Sequence, residues 1–426
     1  PNFFASMSPK SCISTNQWLY APQTAMLSNP KRPIDEVTQE QEQPPIKQVC
    51  VAPDSEPTTP SIPTFNTNPA RFSWGPLTRA AAMAHLETHG YVVIANVISP
   101  QEIAEAYMLL WKWLSGLGPK PGDPSTWSTN WPGWASNGII SSDGIGQSEF
   151  MWFLRGRPAV AQVFADLWGV GTTELLTSFD GCGIFRDWSI DKKWKSKGNR
   201  WHVDQNGHFK KADMFVLLFF SLLLMLLVLT AQPQCIQGFV SLFEQTKATG
   251  GLWVTPRSHT HFTSVCCLFV YSRIHLLQSP LCPPPHSLVT HAHCDSCSRR
   301  DFIMLKGGWD PCMSLNPPVF VPCGAGDLVL WDSRTIHSNG PATTPKPKDS
   351  IDGILRVVAY ICMTPRSKAT PEVLEKRRVA VTKGITTNHW PHEYNQNPVK
   401  AGEKTVPCPV LLYAQTCLVG FPLLAV

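Results

Sequence analysis

The stretch Trp201-His202-Val203-Asp204 decides how this 426-residue chain is interpreted. On a β-strand, side chains two positions apart point to the same face, so His202 and Asp204 would present an imidazole and a carboxylate side by side. Such a pair can bind a metal ion, but a His-x-Asp sequence alone also fits an ordinary surface strand. His337, which follows the β-rich run 327–332, is the candidate for a third ligand.

Two histidines and one carboxylate that leave coordination positions open are typical of non-haem Fe(II) oxygenases. Further motifs follow in a fixed order: Gly250-Gly251-Leu252-Trp253-Val254-Thr255-Pro256-Arg257-Ser258-His259, Gly324-Ala325-Gly326-Asp327, Ser338-Asn339-Gly340-Pro341 and Leu355-Arg356-Val357-Val358-Ala359-Tyr360. In this order they resemble the phytanoyl-CoA dioxygenase family of Fe(II)/2-oxoglutarate-dependent oxygenases. The resemblance covers roughly residues 75–390 and includes Gly90-Tyr91-Val92-Val93-Ile94.

The resemblance implies a mainly β fold with α-helices: a double-stranded β-helix core (jelly roll, cupin-like) with a helical N-terminal layer. It implies that His202, Asp204 and His337 bind Fe(II) and are the catalytic residues. It also implies that Arg356 pairs with the distal carboxylate of 2-oxoglutarate, because a guanidinium can donate two parallel charge-assisted hydrogen bonds. Gln237 and Ser338 are further candidates for contacting this cosubstrate, so the candidate cofactor-binding residues are Arg356, Gln237 and Ser338.

The activity implied by the resemblance is hydroxylation of an unidentified small organic substrate with O2, with release of succinate and CO2. Ascorbate is a candidate reductant. The carboxylate of Asp204 favours hydroxylation over halogenation, because related halogenases have a small residue at this position. An ion-paired or surface arginine is the alternative interpretation of Arg356.

Local patterns predict elements of the same kind. The spacing of apolar residues predicts helices over 77–90, 100–116 and 149–168, the second with Ser99 as its N-cap, and a strand at 91–94. From Leu175 onward, short β-rich runs separated by Gly and Pro predict a sandwich or jelly roll. These runs lie at 175–179, 182–186, 200–204, 235–243, 252–255, 318–321, 327–332 and 354–362.

The composition excludes several classes of protein. The net charge of +5 does not indicate the concentrated basic face of a nucleic-acid-binding protein. The 39 Pro show no Gly-X-Y period, which excludes collagen, and 16 Trp with 20 Phe exclude disorder of the whole chain. Fourteen irregularly spaced Cys in a chain of this length indicate reduced thiols in an intracellular protein.

We therefore expect a cytoplasmic protein with a small-molecule substrate and no nucleic-acid partner, while the sequence does not indicate an oligomeric state. The last residues, 423–426, are not the peroxisomal Ser-Lys-Leu signal. A chain that begins at Pro1 says nothing about N-terminal targeting.

Several segments lie outside the family pattern or depart from it. The Pro-rich residues 1–66 predict a disordered leader before an oxygenase domain at 67–400. The uncharged run 214–230 is just long enough for a membrane helix, but a span so close to Asp204 would separate the metal strand from its partner. Membrane association is therefore not expected, and we predict an insertion at about 209–234 instead.

A second insertion is predicted at about 261–300. Its Cys294-x-x-Cys297 motif, with His291 and His293 nearby, permits zinc but lacks a second paired motif. Residues 401–426 are an atypical apolar tail. The sequence also allows two other functions: a catalytically inactive homologue that acts as an interaction protein, and a membrane-anchored protein that spans the bilayer at 214–230.

Other polar and aromatic residues near the motifs have simpler interpretations. Arg186 is equally suited to a substrate acid and to a salt bridge. His259 is expected to be a structural hydrogen-bonding residue and His208 to lie in a solvated loop. Trp201 and Trp331 flank the predicted ligands and are expected in the core.

Overall fold

A computed structural model describes residues 71–133, 137–205, 233–262, 302–305, 316–343, 352–396, 409, 411 and 413–420. Every described residue belongs to the unit Thr64–Val426. The predicted leader, the run 214–230, His208 and the predicted zinc motif therefore lie outside the described residues, as does most of each predicted insertion. No helix in the described ranges is both long and apolar enough to cross a membrane.

Helices dominate the first part of the described chain. In chain order the helices are α1 (Arg79–His89), α2 (Pro100–Leu117), α3 (Trp127–Asn130), α4 (Glu149–Arg155), α5 (Pro158–Trp168), α6 (Pro371–Thr382) and α7 (Tyr413–Val419). A capping box starts α2, because Ser99 and Glu102 each accept the other's backbone N–H. The prediction of one helix over 149–168 is wrong, since Pro158 cannot continue α4 and instead occupies the first turn of α5.

Each predicted β-rich run contains a strand. In chain order the strands are β1 (Arg71–Phe72), β2 (Tyr91–Ile94), β3 (Ile139–Ile140), β4 (Leu175–Thr177), β5 (Cys182–Arg186), β6 (His202–Val203), β7 (Ile236–Ser241), β8 (Gly251–Val254), β9 (Ile303–Met304), β10 (Val319–Val321), β11 (Leu328–Asp332), β12 (His337–Gly340), β13 (Ile354–Tyr360) and β14 (Met363–Pro365). The short strands β1, β3, β9, β12 and β14 lie outside the predicted runs.

The strands form two main sheets. A seven-stranded sheet has the order β1-β2-β11-β7-β13-β5-β3, and a five-stranded sheet has the order β10-β8-β12-β6-β9, while β14 and β4 form a separate pair. All neighbours are antiparallel except β1 and β2. The described chain is therefore a mixed α/β structure with several antiparallel sheets.

Strand β11 shows how the layers are arranged. Leu328 and Leu330 belong to a core cluster shared with the helices, whereas Val329 and Trp331 belong to a second cluster shared with β8 and β10 of the five-stranded sheet. Because side chains alternate along a strand, the seven-stranded sheet is covered by helices on one face and by the other sheet on the opposite face. The space between the two sheets, called the inter-sheet interior below, is lined by the second cluster. Its buried members are Tyr91, Val93, Phe239, Leu252, Val254, Val321, Cys323, Val329, Trp331 and Val358.

Part of the predicted atypical tail packs against the chain. Buried Arg377 of α6 donates from Nε to the Val419 carbonyl at 3.0 Å and from Nη2 to the Leu418 carbonyl at 3.1 Å. Burial lowers the pKa of Arg377 to about 9. These bonds satisfy carbonyls at the end of α7, which otherwise lack partners.

Asp327 fixes the turn that leads into β11. Its fully buried carboxylate accepts two hydrogen bonds from Arg71, at 2.8 and 2.7 Å, and one each from the backbone N–H groups of Asn96 and Gly324. The preceding Gly326 has a φ of 86°, and a Cβ there would lie 2.5 Å from the Ile98 carbonyl oxygen. The motif found in the sequence is therefore a structural turn.

We predict that Asp327→Ala lowers the free energy of unfolding by about 1–3 kcal/mol, because it leaves the backbone N–H groups of Asn96 and Gly324 and the Arg71 guanidinium without their acceptor. Chemical denaturation measures the change. The control Glu375→Gln removes the exposed partner of Arg378 on α6 and should cost less than about 0.5 kcal/mol. Equal stability of the two variants would contradict the role given to Asp327.

Candidate metal centre

The predicted ligands come together where β6 and β12 pair. His202 and His337 are direct partners in this antiparallel ladder. Residues directly opposite each other project from the same face, and the centroids of the two imidazole rings are 4.3 Å apart. Asp204 follows two residues after His202, and its backbone N–H donates to the Ser333 carbonyl at 3.1 Å, which holds it on this face.

Three side chains converge on one point. Asp204 Oδ1 lies 3.4 Å from His202 Nε2, and Asp204 Oδ2 lies 3.1 Å from His337 Nε2. All three ligand atoms lie within 4.8 Å of one another. Asp204 and His337 are buried, whereas the His202 side chain is 25% exposed, so the cluster is open on the His202 side.

Backbone carbonyls set the orientation of both imidazoles. Nδ1 of His202 bonds to the Arg200 carbonyl at 2.7 Å, and Nδ1 of His337 bonds to the Thr335 carbonyl at 2.9 Å. Because a carbonyl oxygen only accepts, each Nδ1 carries the proton and each Nε2 is left with a lone pair. This is the tautomer and support that metal-binding histidines usually have.

The electrostatics favour the metal-binding protonation states of Asp204 and His337. Burial alone would raise the pKa of Asp204, but the nearby imidazoles of His337, His389 and His202 hold it well below its usual range. Burial and the neighbouring His202 lower the pKa of His337. Burial opposes the charged form of His202 as well, but the Asp204 carboxylate more than offsets it and raises the pKa. An ionised carboxylate beside a neutral imidazole is the form in which such groups bind a cation.

Arg356 lies on the same side of the seven-stranded sheet as this cluster. Alternation along β13 directs Arg356 and Val358 to the inter-sheet interior, and the guanidinium carbon lies 4.9 Å from the centre of the Phe185 ring. The residue is fully buried, and its Nε donates to Gln245 Oε1 at 2.8 Å. Nη1 and Nη2 are buried and have no hydrogen-bond partner among the described residues.

Two more buried donors face the same space. Gln237 on β7 is 2% exposed, and its Nε2 has no partner in the described part of the chain. Trp331 on β11 is the direct cross-strand partner of Gln237, and its indole N–H is likewise buried and unpaired. The Trp331 ring centre is 5.3 Å from that of His337. The prediction that Trp331 belongs to the core is confirmed, but its free N–H could not be seen in the sequence.

The structure does not bring Ser338 into this set. His337 and Ser338 are consecutive on β12 and therefore face opposite sides. The Ser338 hydroxyl accepts the Arg200 N–H at 3.1 Å and donates to the Asn339 carbonyl. The Ser338 hydroxyl thus joins β12 to the residues before β6, and its contact with 2-oxoglutarate stays a prediction.

The remaining sequence candidates lie elsewhere. Arg186 faces the helices, where it donates to the Trp127 carbonyl at 3.1 Å and lies 4.4 Å from the centre of the Trp194 ring. Burial lowers the pKa of Arg186 to about 10. His259 bonds through Nε2 to the Glu87 carbonyl at 2.8 Å, which confirms its structural role. His389, which the sequence did not single out, contributes to the low pKa of Asp204 and has a buried Nε2 with no partner among the described residues.

Comparison with known proteins gives one curated relative and several solved structures. No family model matches the chain. The chain is 26% identical over 311 residues to Ava biosynthesis cluster protein O of Aspergillus versicolor, a match that covers 72% of this chain and 84% of that protein.

The solved structures include non-haem, α-ketoglutarate-dependent enzymes. The epimerase SnoN from nogalamycin biosynthesis, in complex with Fe3+, α-ketoglutarate and nogalamycin RO, is 17% identical to this chain with a TM-score of 0.38. The match covers 67% of this chain and 83% of the SnoN chain. EctD from S. alaskensis with 2-oxoglutarate and 5-hydroxyectoine is 16% identical, with a TM-score of 0.39 and coverage of 68% and 76%. A putative oxidoreductase from Salmonella typhimurium LT2 is 15% identical, with a TM-score of 0.47 and coverage of 80% and 82%. The chain is similar to 2-oxoglutarate-dependent non-haem iron enzymes and carries a candidate facial triad.

We predict that Asp204→Asn weakens binding of a divalent cation at least about 100-fold, since it removes the anionic ligand between the two imidazoles. Calorimetric titration of the metal-free protein with Mn(II) measures the affinity. Asp166→Asn is the matched control, because the Asp166 carboxylate bonds to Trp74 and Gln162 away from the cluster. An Asp204→Asn variant that binds Mn(II) as tightly as the control would contradict the assignment.

Proposed function

We propose that this chain is an Fe(II)- and 2-oxoglutarate-dependent dioxygenase of the phytanoyl-CoA dioxygenase type, which hydroxylates a small organic substrate. One observation carries the proposal: a His-Asp-His cluster shares the inter-sheet interior with a buried arginine, Arg356, whose outer N–H groups have no partner among the described residues. A metal site explains the first feature and a dicarboxylate cosubstrate explains the second. We also propose that the two main sheets form the halves of a double-stranded β-helix.

The donor set fits Fe(II). Two neutral imidazoles and one carboxylate supply borderline nitrogen ligands and one negative charge, the combination found in facial triads of non-haem iron oxygenases. His202, Asp204 and His337 come from one face of two paired strands, so they would occupy one side of the ion. The opposite side would be left for other ligands.

The surroundings of Arg356 fit a bound carboxylate. Gln245 accepts the Nε–H of Arg356 through Oε1 and donates through Nε2 to the Ser241 hydroxyl at 2.7 Å. Ser241 in turn donates to the Phe243 carbonyl at 2.7 Å. This chain of bonds fixes the guanidinium at its inner edge and leaves Nη1 and Nη2 for a second partner. A planar fork of this kind matches a carboxylate.

Burying an unpaired guanidinium is costly, so its partner is expected to be an anion. Gln237 offers one further N–H donor to the same ligand. The rings of Phe185 and Phe239, which carry no anionic group, lie against the Arg356 guanidinium. 2-Oxoglutarate carries one carboxylate for Arg356 and a keto acid end for the metal.

With Fe(II), 2-oxoglutarate and O2 bound, the centre would supply the oxidation that converts a substrate C–H to C–OH while 2-oxoglutarate becomes succinate and CO2. The protein residues would then hold the ligands and keep water out of the inter-sheet interior. The retained carboxylate of Asp204 supports hydroxylation rather than halogenation. Ascorbate would serve as a candidate reductant for the iron.

We predict that the full chain, supplied with Fe(II), 2-oxoglutarate, ascorbate and O2, releases succinate slowly even without a substrate. His202→Ala should reduce this rate to about 1% or less, because catalysis requires the complete ligand set. Succinate is measured by chromatography. His261→Ala, which removes an exposed histidine, should retain the rate of the unmodified protein. If the unmodified chain neither binds iron nor forms succinate, it is a catalytically inactive homologue.

We predict that Arg356→Gln weakens 2-oxoglutarate binding about 100-fold or more while leaving Mn(II) affinity unchanged, because it removes a bidentate charge-assisted contact to the cosubstrate and none of the three metal ligands. Calorimetry on the Mn(II)-loaded protein separates the two affinities. A purely structural arginine would give a variant with unchanged affinity for 2-oxoglutarate.

A further inference from the structure

Trp331 combines three features that its predicted role in the core does not require. Its ring faces the inter-sheet interior and lies 5.3 Å from the ring of the candidate ligand His337. Its indole N–H is buried and has no partner in the described ranges. The centre of the Trp331 ring is also 6.0 Å from that of Phe239, and the Arg356 guanidinium lies against the same Phe239 ring.

Gln237 supplies a second free donor at the same place. Gln237 and Trp331 are direct partners in the β7–β11 ladder, and both side chains point to the inter-sheet interior. Directly paired residues have Cβ atoms about 4.5–5.5 Å apart, so their N–H groups can reach the same ligand. A buried N–H without an acceptor is unfavourable, and two adjacent ones indicate an acceptor with more than one lone pair in this position.

The two ends of the pocket have different donors. Arg356 lies on β13, beyond Phe239, with its guanidinium carbon 5.3 Å from the centre of the Phe239 ring. Trp331 lies on the other side of Phe239, against His337. Donors that are free at both ends suit a ligand with an anionic group at each end.

We infer that Trp331 and Gln237 form a clamp of two N–H donors for the carboxylate at the metal end of 2-oxoglutarate, while Arg356 binds the distal carboxylate. This assignment rests on the proposed function and deepens it. Trp331 is then a cosubstrate-binding residue that orients the keto acid end beside His337. Neutral donors suit this end because the metal would supply the opposing charge.

Trp331→Phe tests the clamp, because it removes the N–H and keeps an aromatic ring. We expect 2-oxoglutarate to bind the Mn(II)-loaded variant about 10- to 100-fold more weakly, with unchanged affinity for Mn(II) itself. In the succinate assay, the KM for 2-oxoglutarate should rise more than the rate at saturation falls. Calorimetry with Mn(II) and 2-oxoglutarate gives the binding result without requiring turnover.

Trp188→Phe is the matched control. The Trp188 N–H is also buried and unpaired among the described residues, but its ring packs against a separate apolar cluster and lies 4.5 Å from Lys195 Nζ, outside the metal cluster. Loss of that N–H should leave 2-oxoglutarate affinity unchanged. If Trp331→Phe binds 2-oxoglutarate as tightly as Trp188→Phe, the clamp is overturned while the proposed function stands.

Gln237→Met gives a second, independent measurement should Trp331→Phe fail to fold. It keeps the length of the side chain and removes the amide, and we expect a similar loss of 2-oxoglutarate affinity. Unchanged affinity in Gln237→Met overturns the two-donor clamp. If the unmodified Mn(II)-loaded chain does not bind 2-oxoglutarate at all, the proposed function itself fails, and this outcome is distinct from a failure of the clamp.

Discussion

The pairing of His202 with His337 is the constraint on which the candidate site depends. A single register position joins β6 to β12, and it brings together residues that are far apart in the sequence. A shift of one residue in this ladder would direct His337 to the opposite face and break the cluster. The register is also held from outside, since β12 pairs along its full length with β8 and Asp204 is bonded to the Ser333 carbonyl.

The sequence could predict the part of the site that depends only on the alternation of side chains along one strand. His202 and Asp204 lie two positions apart on a strand, so their shared face follows from the sequence. The strand of His337 was not predicted, because His337–Gly340 contains residues of low β-propensity and is a strand through its neighbours. Without that strand, the sequence could not show that Ser338 faces the side opposite His337.

In the fold as well, features that depend on neighbouring residues could be predicted, whereas features that depend on packing between distant elements could not. The β-rich runs were found because apolar and β-branched residues mark them, and Pro158 could have shown that 149–168 is two helices. Arg186 could not be placed from the sequence, since its neighbour Phe185 faces the opposite side of β5 and either face is buried. The two faces of β5 differ only in what packs on them: helices on the Arg186 side and the second sheet on the Phe185 side.

Unpaired donors in the inter-sheet interior link stability to function. Arg356, Gln237 and Trp331 each bury N–H groups that the described residues leave unsatisfied, and each such group opposes folding by the cost of its lost hydration. A core selected for stability alone would replace them with apolar side chains of similar size. A ligand that accepts from all three restores those hydrogen bonds only in the folded state, so its binding free energy adds directly to stability. In the proposed function, the dicarboxylate cosubstrate would be that ligand.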